Sequence, residues 1–238
     1  MTTRTRSKLV IAKDAEEFAR LGAEWIVKKA THAVKTRGVC SIALSGGSTP
    51  RPVYRALADV EFAEKFPWSQ VEFYFADERA VPLDHPESTY RLVRETLLAS
   101  HPEALGRVYR MPVDAPDREK AADRYGRRLP DPLDVVVLGM GEDGHTASLF
   151  PGSAALDETD RRVVPVTGPK PPFERMTITP RVIERARSIV VLVSGAAKAH
   201  TLSKVLGGLH LPNEFPAQLA RRGTWIVDPA AATYVLNP

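Results

Sequence analysis

Asp143 and His145 stand two residues apart in Gly139-Met140-Gly141-Glu142-Asp143-Gly144-His145-Thr146, directly after the run Asp134-Val135-Val136-Val137-Leu138. A carboxylate and an imidazole so spaced are a titratable pair. The glycines at 139, 141 and 144 let the backbone turn tightly and approach a ligand closely. The β-branched, apolar run before them suits a strand buried on both faces. The pair therefore falls at the carboxyl end of a buried strand, where open α/β sheets place their ligands. More plainly, Asp143 would cap a short helix opening near Thr146 and His145 would be a loop residue. Polar groups flanked by glycines in a loop favour the functional reading.

Three further stretches offer anion chemistry. Ser45-Gly46-Gly47-Ser48-Thr49-Pro50 follows a second apolar run, residues 39–44. Gly46 and Gly47 leave backbone N–H groups bare, with Thr49 as the expected N-cap and Pro50 at the first helical position. Strand, glycine turn and helix start together make an anion site, phosphate above all. The stretch is neither a P-loop nor a G-x-G-x-x-G fingerprint. Asp77-Glu78-Arg79 ends an aromatic-rich strand at residues 71–76, where three charges are costly to cover without partners. Arg79 suits a bidentate grip on phosphate or carboxylate. Lys198, in the first turn of a helix after Ser194-Gly195, opposes the helix dipole and hints at a nearby anion.

The elements that must carry these groups alternate along the chain. Strands are predicted at residues 9–12, 39–44, 71–76, 134–138, 163–166, 176–179, 188–193 and 224–228, with a short one at 108–111. Helices are predicted at 14–36, 50–63, 88–98, 116–129 and 180–186, then from 199 onward and over 216–219. Asp14 with Glu17 resembles a capping arrangement, and Gly38 ends the first helix. Phe18, Leu21, Trp25, Ile26, Ala30 and Ala33 lie at helical spacing and form its buried face. Such alternation argues for a mostly parallel sheet covered by helices on both sides. Loops 45–50, 77–82, 139–146 and 194–198 would then converge on one crevice.

The chain has 238 residues, 43% hydrophobic and 26% charged, in keeping with a globular protein with a sizeable core. No composition break divides it, so residues 9–238 are expected to form one α/β domain preceded by a disordered basic tail, residues 1–8. The single cysteine, Cys40, excludes an internal disulfide and a cysteine-based zinc cluster. His32, His85, His101, His200 and His210 have no companions at metal spacing, and no metal site is expected. No apolar run suits a signal peptide or a membrane span, so a cytoplasmic setting without membrane partners is expected. The net charge of +4 is interleaved with acids and lacks aromatic–basic clusters. It favours a small anionic ligand over nucleic acid.

In order and content, the Ser45–Pro50 stretch, Asp77-Glu78-Arg79-Ala80-Val81-Pro82, residues 139–152 and Gly195-Ala196-Ala197-Lys198 resemble the 6-phosphogluconolactonase family, related in fold to the glucosamine-6-phosphate isomerase/deaminases. The resemblance covers the chain from residue 9 onward and is most specific at residues 139–152. It implies a three-layer α/β/α Rossmann-like fold with a mostly parallel sheet. It also implies hydrolysis of 6-phospho-D-glucono-1,5-lactone to 6-phospho-D-gluconate in the pentose phosphate pathway, with no metal or cofactor. Carried over by the same resemblance, His145 would be the general base, with Asp143 or Asp77 orienting the imidazole or the sugar hydroxyls. Arg79 and Lys198, with Ser45 and the amides of Gly46 and Gly47, would hold the 6-phosphate. Arg175 is a further candidate on position alone. The expected partner is the small sugar-phosphate lactone, and the expected state a monomer or small homo-oligomer.

The sequence departs from the family pattern at Thr89, where many members have Asn after the serine. The isomerase/deaminase relatives continue the third motif to a glutamate before Pro-Gly, and here that position is Phe150. An apolar ring cannot transfer protons, which favours hydrolysis over isomerisation. A non-catalytic sugar-phosphate sensor is a second rival, but no segment could serve as its DNA- or partner-binding module.

Overall fold

The computed structural model describes residues 7–236. Of the expected basic tail, residues 1–6 lie outside the described residues. Ser7 and Lys8 already belong to the folded chain: the Ser7 hydroxyl donates to the Arg221 carbonyl at 2.6 Å, and Lys8 opens the first strand.

In chain order, β1 (Lys8–Ile11) leads into α1 (Ala15–Arg37). Asp14 caps this helix by accepting from the Glu17 amide at 2.8 Å. Gly38 ends it at φ 79°, a left-handed conformation that costs glycine least. Phe18, Ile26, Ala30 and Ala33 are buried, while Leu21 and Trp25 are half-buried against the same core. Next come β2 (Cys40–Leu44), α2 (Arg51–Ala58) and α3 (Val60–Ala63). The single helix predicted over 50–63 is interrupted because Asp59 is extended (ψ 153°) and caps the second piece. Then follow β3 (Val71–Phe75), β4 (Asp77–Arg79) and α4 (Thr89–Val93), the last continuing as a π-helical turn over Arg94–Leu98. The strand predicted over 108–111 is reduced to one isolated bridge between Val108 and Phe73. After α5 (Arg118–Arg128) and β5 (Val135–Gly139) come β6 (Val163–Thr167), β7 (Glu174–Ile178) and α6 (Pro180–Arg185). The chain closes with β8 (Ser188–Val193), α7 (Ala199–Gly207), β9 (Thr224–Val227) and α8 (Thr233–Leu236).

Six strands form one wholly parallel sheet in the order β1-β9-β8-β5-β2-β3. Every residue of β2 and the first four of β5 are buried, so helices cover both faces. The chain steps outward from β2 to β3, then returns past β2 to β5 and continues to β8 and β9 on the other side. The reversal lies between β2 and β5, and loops leaving those two strands diverge there to leave a crevice.

The remaining three strands do not join that sheet. β4, β7 and β6 form a separate antiparallel sheet in that order. Asp77-Glu78-Arg79 is therefore a strand and not a loop. Ala76 joins the two sheets, donating its amide to Leu44 and accepting from Ile178, both at 2.8 Å. No helix among the described residues is long and apolar enough to cross a membrane.

Candidate active site

At the β2–β5 reversal lies a cavity of about 190 Å³ walled by Ser45–Pro50, Asp77, Arg79, Gly139–Gly141, His145, Ala147 and Lys198. Four stretches far apart in sequence meet there, as the convergence of strand ends predicts.

The loop after β5 is a chain of tight turns and not the helix expected near Thr146, whose only regular feature is a bridge between Thr146 and Leu149. Its order comes from its own polar groups. The Gly141 amide donates to the His145 carbonyl at 2.9 Å, and the Thr146 hydroxyl to the Gly139 carbonyl at 2.8 Å. Asp143 Oδ1 accepts from the His145 amide at 3.1 Å and lies 2.6 Å from His145 Nδ1. Asp143 thus holds both the backbone and the ring of His145 instead of capping a helix. Burial works to raise the Asp143 carboxyl, but the hydrogen bond and charge of His145 hold it below the usual carboxylate range. An ionised carboxylate only accepts, so Nδ1 donates to Asp143 and Nε2 is the ring nitrogen left for the cavity. Gly141 lies so close beneath the imidazole that a Cβ there would collide with Nδ1 and Cε1. Phe150 lies beside the ring, with centroids 4.9 Å apart.

Across the cavity, the loop after β2 is fixed from behind. Tyr54 of α2, fully buried, donates its hydroxyl to the Ser45 carbonyl at 2.8 Å. Gly47 takes φ 100°, open to glycine at no steric cost. No hydrogen bond among the described residues occupies the amides of Gly46, Gly47 or Ser48. The α2 helix begins one residue later than expected: Pro50 occupies the cap position, and Thr49 makes no capping bond. Thr49 instead accepts through Oγ1 from Lys198 Nζ at 3.2 Å. Burial pushes the Lys198 ammonium down, while Glu142 and Asp228 pull it back up. A half-buried cation without a carboxylate in contact is thus poised for an anion.

β4 delivers two groups to the wall. Asp77 is buried, and its Oδ2 accepts from Ser148 Oγ at 2.6 Å; it does not touch the imidazole. Arg79 Nη1 donates to the Glu87 carbonyl at 2.8 Å and to its carboxylate at 3.2 Å, while Nε is buried without a partner. Glu78, between them, points away and accepts from the amides of Arg79, Thr89 and Tyr90 at 2.7–2.8 Å. Burial raises its carboxyl against those three bonds. This carboxylate ties the Ser88-Thr89 segment to β4, so Thr89 Oγ1, buried and unpartnered, would lie 2.5 Å from a Cβ on Gly46.

Of the residues singled out in the sequence, Ser45, Gly46, Gly47, Asp77, Arg79, His145 and Lys198 share the cavity wall, with Asp143 directly behind His145. Arg175 does not reach that wall. It pairs with Arg79 in the β4–β7 register, but its guanidinium donates to the Pro172 carbonyl at 3.0 Å and lies over the Phe150 ring at 5.4 Å. Burial, then the charge of Arg79, push it down. Sequence reasoning gave Thr49 only a capping role and missed Glu87 and Ser148; all three act on wall residues through contacts made only in three dimensions. Among the described residues, no three His, Cys, Asp or Glu side chains are grouped to hold a metal ion.

The fold and the site define a Rossmann-like α/β enzyme with its site at the switch point of a parallel sheet. Residues 13–227 match the family described as glucosamine-6-phosphate isomerases/6-phosphogluconolactonase, and the chain belongs to that family. It is 38% identical over 221 residues to the 6-phosphogluconolactonase of Synechocystis, covering 87% of this chain and 89% of that one. The solved 6-phosphogluconolactonase of Trypanosoma brucei superposes with a TM-score of 0.83 at 30% identity, covering 97% and 99% of the two chains. A monomeric glucosamine-6-phosphate deaminase superposes with a TM-score of 0.81 at 22% identity, which shows the shared fold alone.

Proposed function

We propose that the chain hydrolyses 6-phospho-D-glucono-1,5-lactone to 6-phospho-D-gluconate, the second step of the oxidative pentose phosphate pathway. The observation that carries this reading is His145, held by Asp143 and open on Nε2, facing a glycine loop and two cations across one cavity. Supporting it are the curated relatives, named for this activity, with which the chain shares most of its length.

In this mechanism Arg79, Lys198 and the amides of Gly46 and Gly47 bind the 6-phosphate, which fixes the distant C1 carbonyl near His145. His145 Nε2 takes a proton from water as the water oxygen bonds to C1. The C1–O5 bond then breaks, and the imidazolium returns the proton to O5, opening the ring. Asp143 keeps the imidazole in the required tautomer and stabilises its cation. Asp77, separated from the ring, orients a sugar hydroxyl through the oxygen that Ser148 leaves free. The site proposed for the phosphate needs no metal and the reaction no electron carrier.

Phe150 supports hydrolysis over isomerisation, because a ring beside His145 supplies no second proton-transfer group. Acid release from freshly generated lactone, measured against an enzyme-free blank, tests the reading alongside ammonia release from glucosamine 6-phosphate. Acid release above the blank is expected. Ammonia without acid release would assign the chain to the other activity of its family.

A further inference from the structure

Ser148 has no role in the reaction outlined above, yet the structure invests heavily in its position. It is wholly buried, and its hydroxyl donates to Asp77 Oδ2 at 2.6 Å, the length of a strong charge-assisted bond. Its amide donates to Thr177 Oγ1 at 3.1 Å, and Thr177 is equally buried. Thr177 is also the residue paired with Asp77 in the β4–β7 register. Ser148 is therefore clamped to two strands of the second sheet, β4 and β7, while its own loop begins in the parallel sheet and carries His145 three residues earlier. The preceding residue, Ala147, has φ 47°, alone among the described non-glycine residues in taking a positive value. A left-handed backbone is strained for an alanine and persists only where the surroundings impose it.

We propose that Ser148 is a positioning residue: it sets the Asp77 carboxylate relative to His145 by tying the base-bearing loop to β4, so that Asp77 presents one defined oxygen to a substrate hydroxyl. The inference rests on the lactonase reading for the identity of that substrate. A purely structural serine would lower stability without regard to Asp77. A positioning serine acts through Asp77, and its removal matters little once that carboxylate is gone.

The test is a double-mutant cycle on the full chain with Ser148→Ala, Asp77→Asn and the combined variant. kcat/KM for the lactone and calorimetric affinity for 6-phosphogluconate are measured together with thermal melting. Ser148→Ala is expected to lower kcat/KM about 10- to 100-fold, the cost of a misplaced group. In the Asp77→Asn background the same change should cost less than about threefold, since coupled residues are not additive. Ser148→Cys, of similar size with a weaker donor, should fall between wild type and Ser148→Ala, and it replaces that variant if alanine prevents folding. An equal loss in both backgrounds, or wild-type kcat/KM in folded Ser148→Ala or Ser148→Cys, would overturn the proposal. If the wild type left the lactone untouched, the lactonase reading would fail by itself. The cycle is then read on 6-phosphogluconate affinity, where additivity of Ser148→Ala and Asp77→Asn refutes the coupling and non-additivity sustains it.

Discussion

His145 acts on the proposed reaction through a single nitrogen, and Asp143 decides which one. His145→Ala is expected to lower kcat by roughly 10²–10⁴ with substrate affinity nearly unchanged, because a general base works only as the transition state forms. Steady-state kinetics on fresh lactone checks this, and unchanged kcat would remove His145 as the base. Arg79 works at the other end. Its Nε is buried without a partner and its Nη1 is lent to Glu87, an arrangement ready to accept an anion. Arg79→Ala should mainly raise KM, by at least about 1 kcal/mol as charge-assisted hydrogen bonds do. An unaltered KM would put the phosphate elsewhere. At this scale the sequence was highly legible: side chains named from glycine-flanked motifs at strand ends share one wall. The choice between Asp77 and Asp143 was not legible. Both follow a buried strand, and only the fold puts one 2.6 Å from the imidazole and the other against Ser148.

The loops that present these residues are shaped as much by what is missing as by what is present. Gly141 has no side chain because the imidazole occupies that space. Gly141→Ala should force the ring or the turn to move, and a misplacement of about 1 Å can cost about 10²-fold in rate. Thermal melting should change less than kcat/KM does, since the turn is at the surface; wild-type kinetics would show that the ring has room to spare. The elements around these loops were read well where periodicity is strong, as in α1 and the buried strands β2, β5 and β8. They were misread where a local pattern is overruled by distant contacts. Thr146 looked like a helix start, yet its hydroxyl closes a turn on Gly139. Residues 71–79 looked like one strand and its loop, but Ala76 divides them between two sheets. Period-two alternation shows that a segment is a strand; it carries no record of which sheet will pair with it.

The parallel sheet separates chemistry from stability along its own axis. The cavity lies beyond the carboxyl ends of β2 and β5, while Asp134 lies at the opposite end, just before β5. There one carboxylate accepts from the Ser41 amide at 2.9 Å, the Ser41 hydroxyl at 3.1 Å and Arg37 at 2.7 Å, with Arg187 at 3.5 Å. Asp134 thereby stitches α1, β2, β5 and the start of β8 together far from the site. Asp134→Ala would leave buried donors of Ser41 without an acceptor and two arginines facing each other. Such a loss costs about 3 kcal/mol, between the penalty for an orphaned buried donor and that for a broken buried ion pair. Arg37 and Arg187 are partly exposed and recover some hydration, which keeps the cost from the upper end of that range. The expected result is a lower denaturant midpoint with an unchanged slope, and kcat/KM per folded molecule within about twofold of wild type, because sites this far apart act independently. A large fall in kcat/KM at full folding would mean that the two ends of the sheet are coupled, and that the strand ends holding His145 and the phosphate loop are set from below as well as by their own turns.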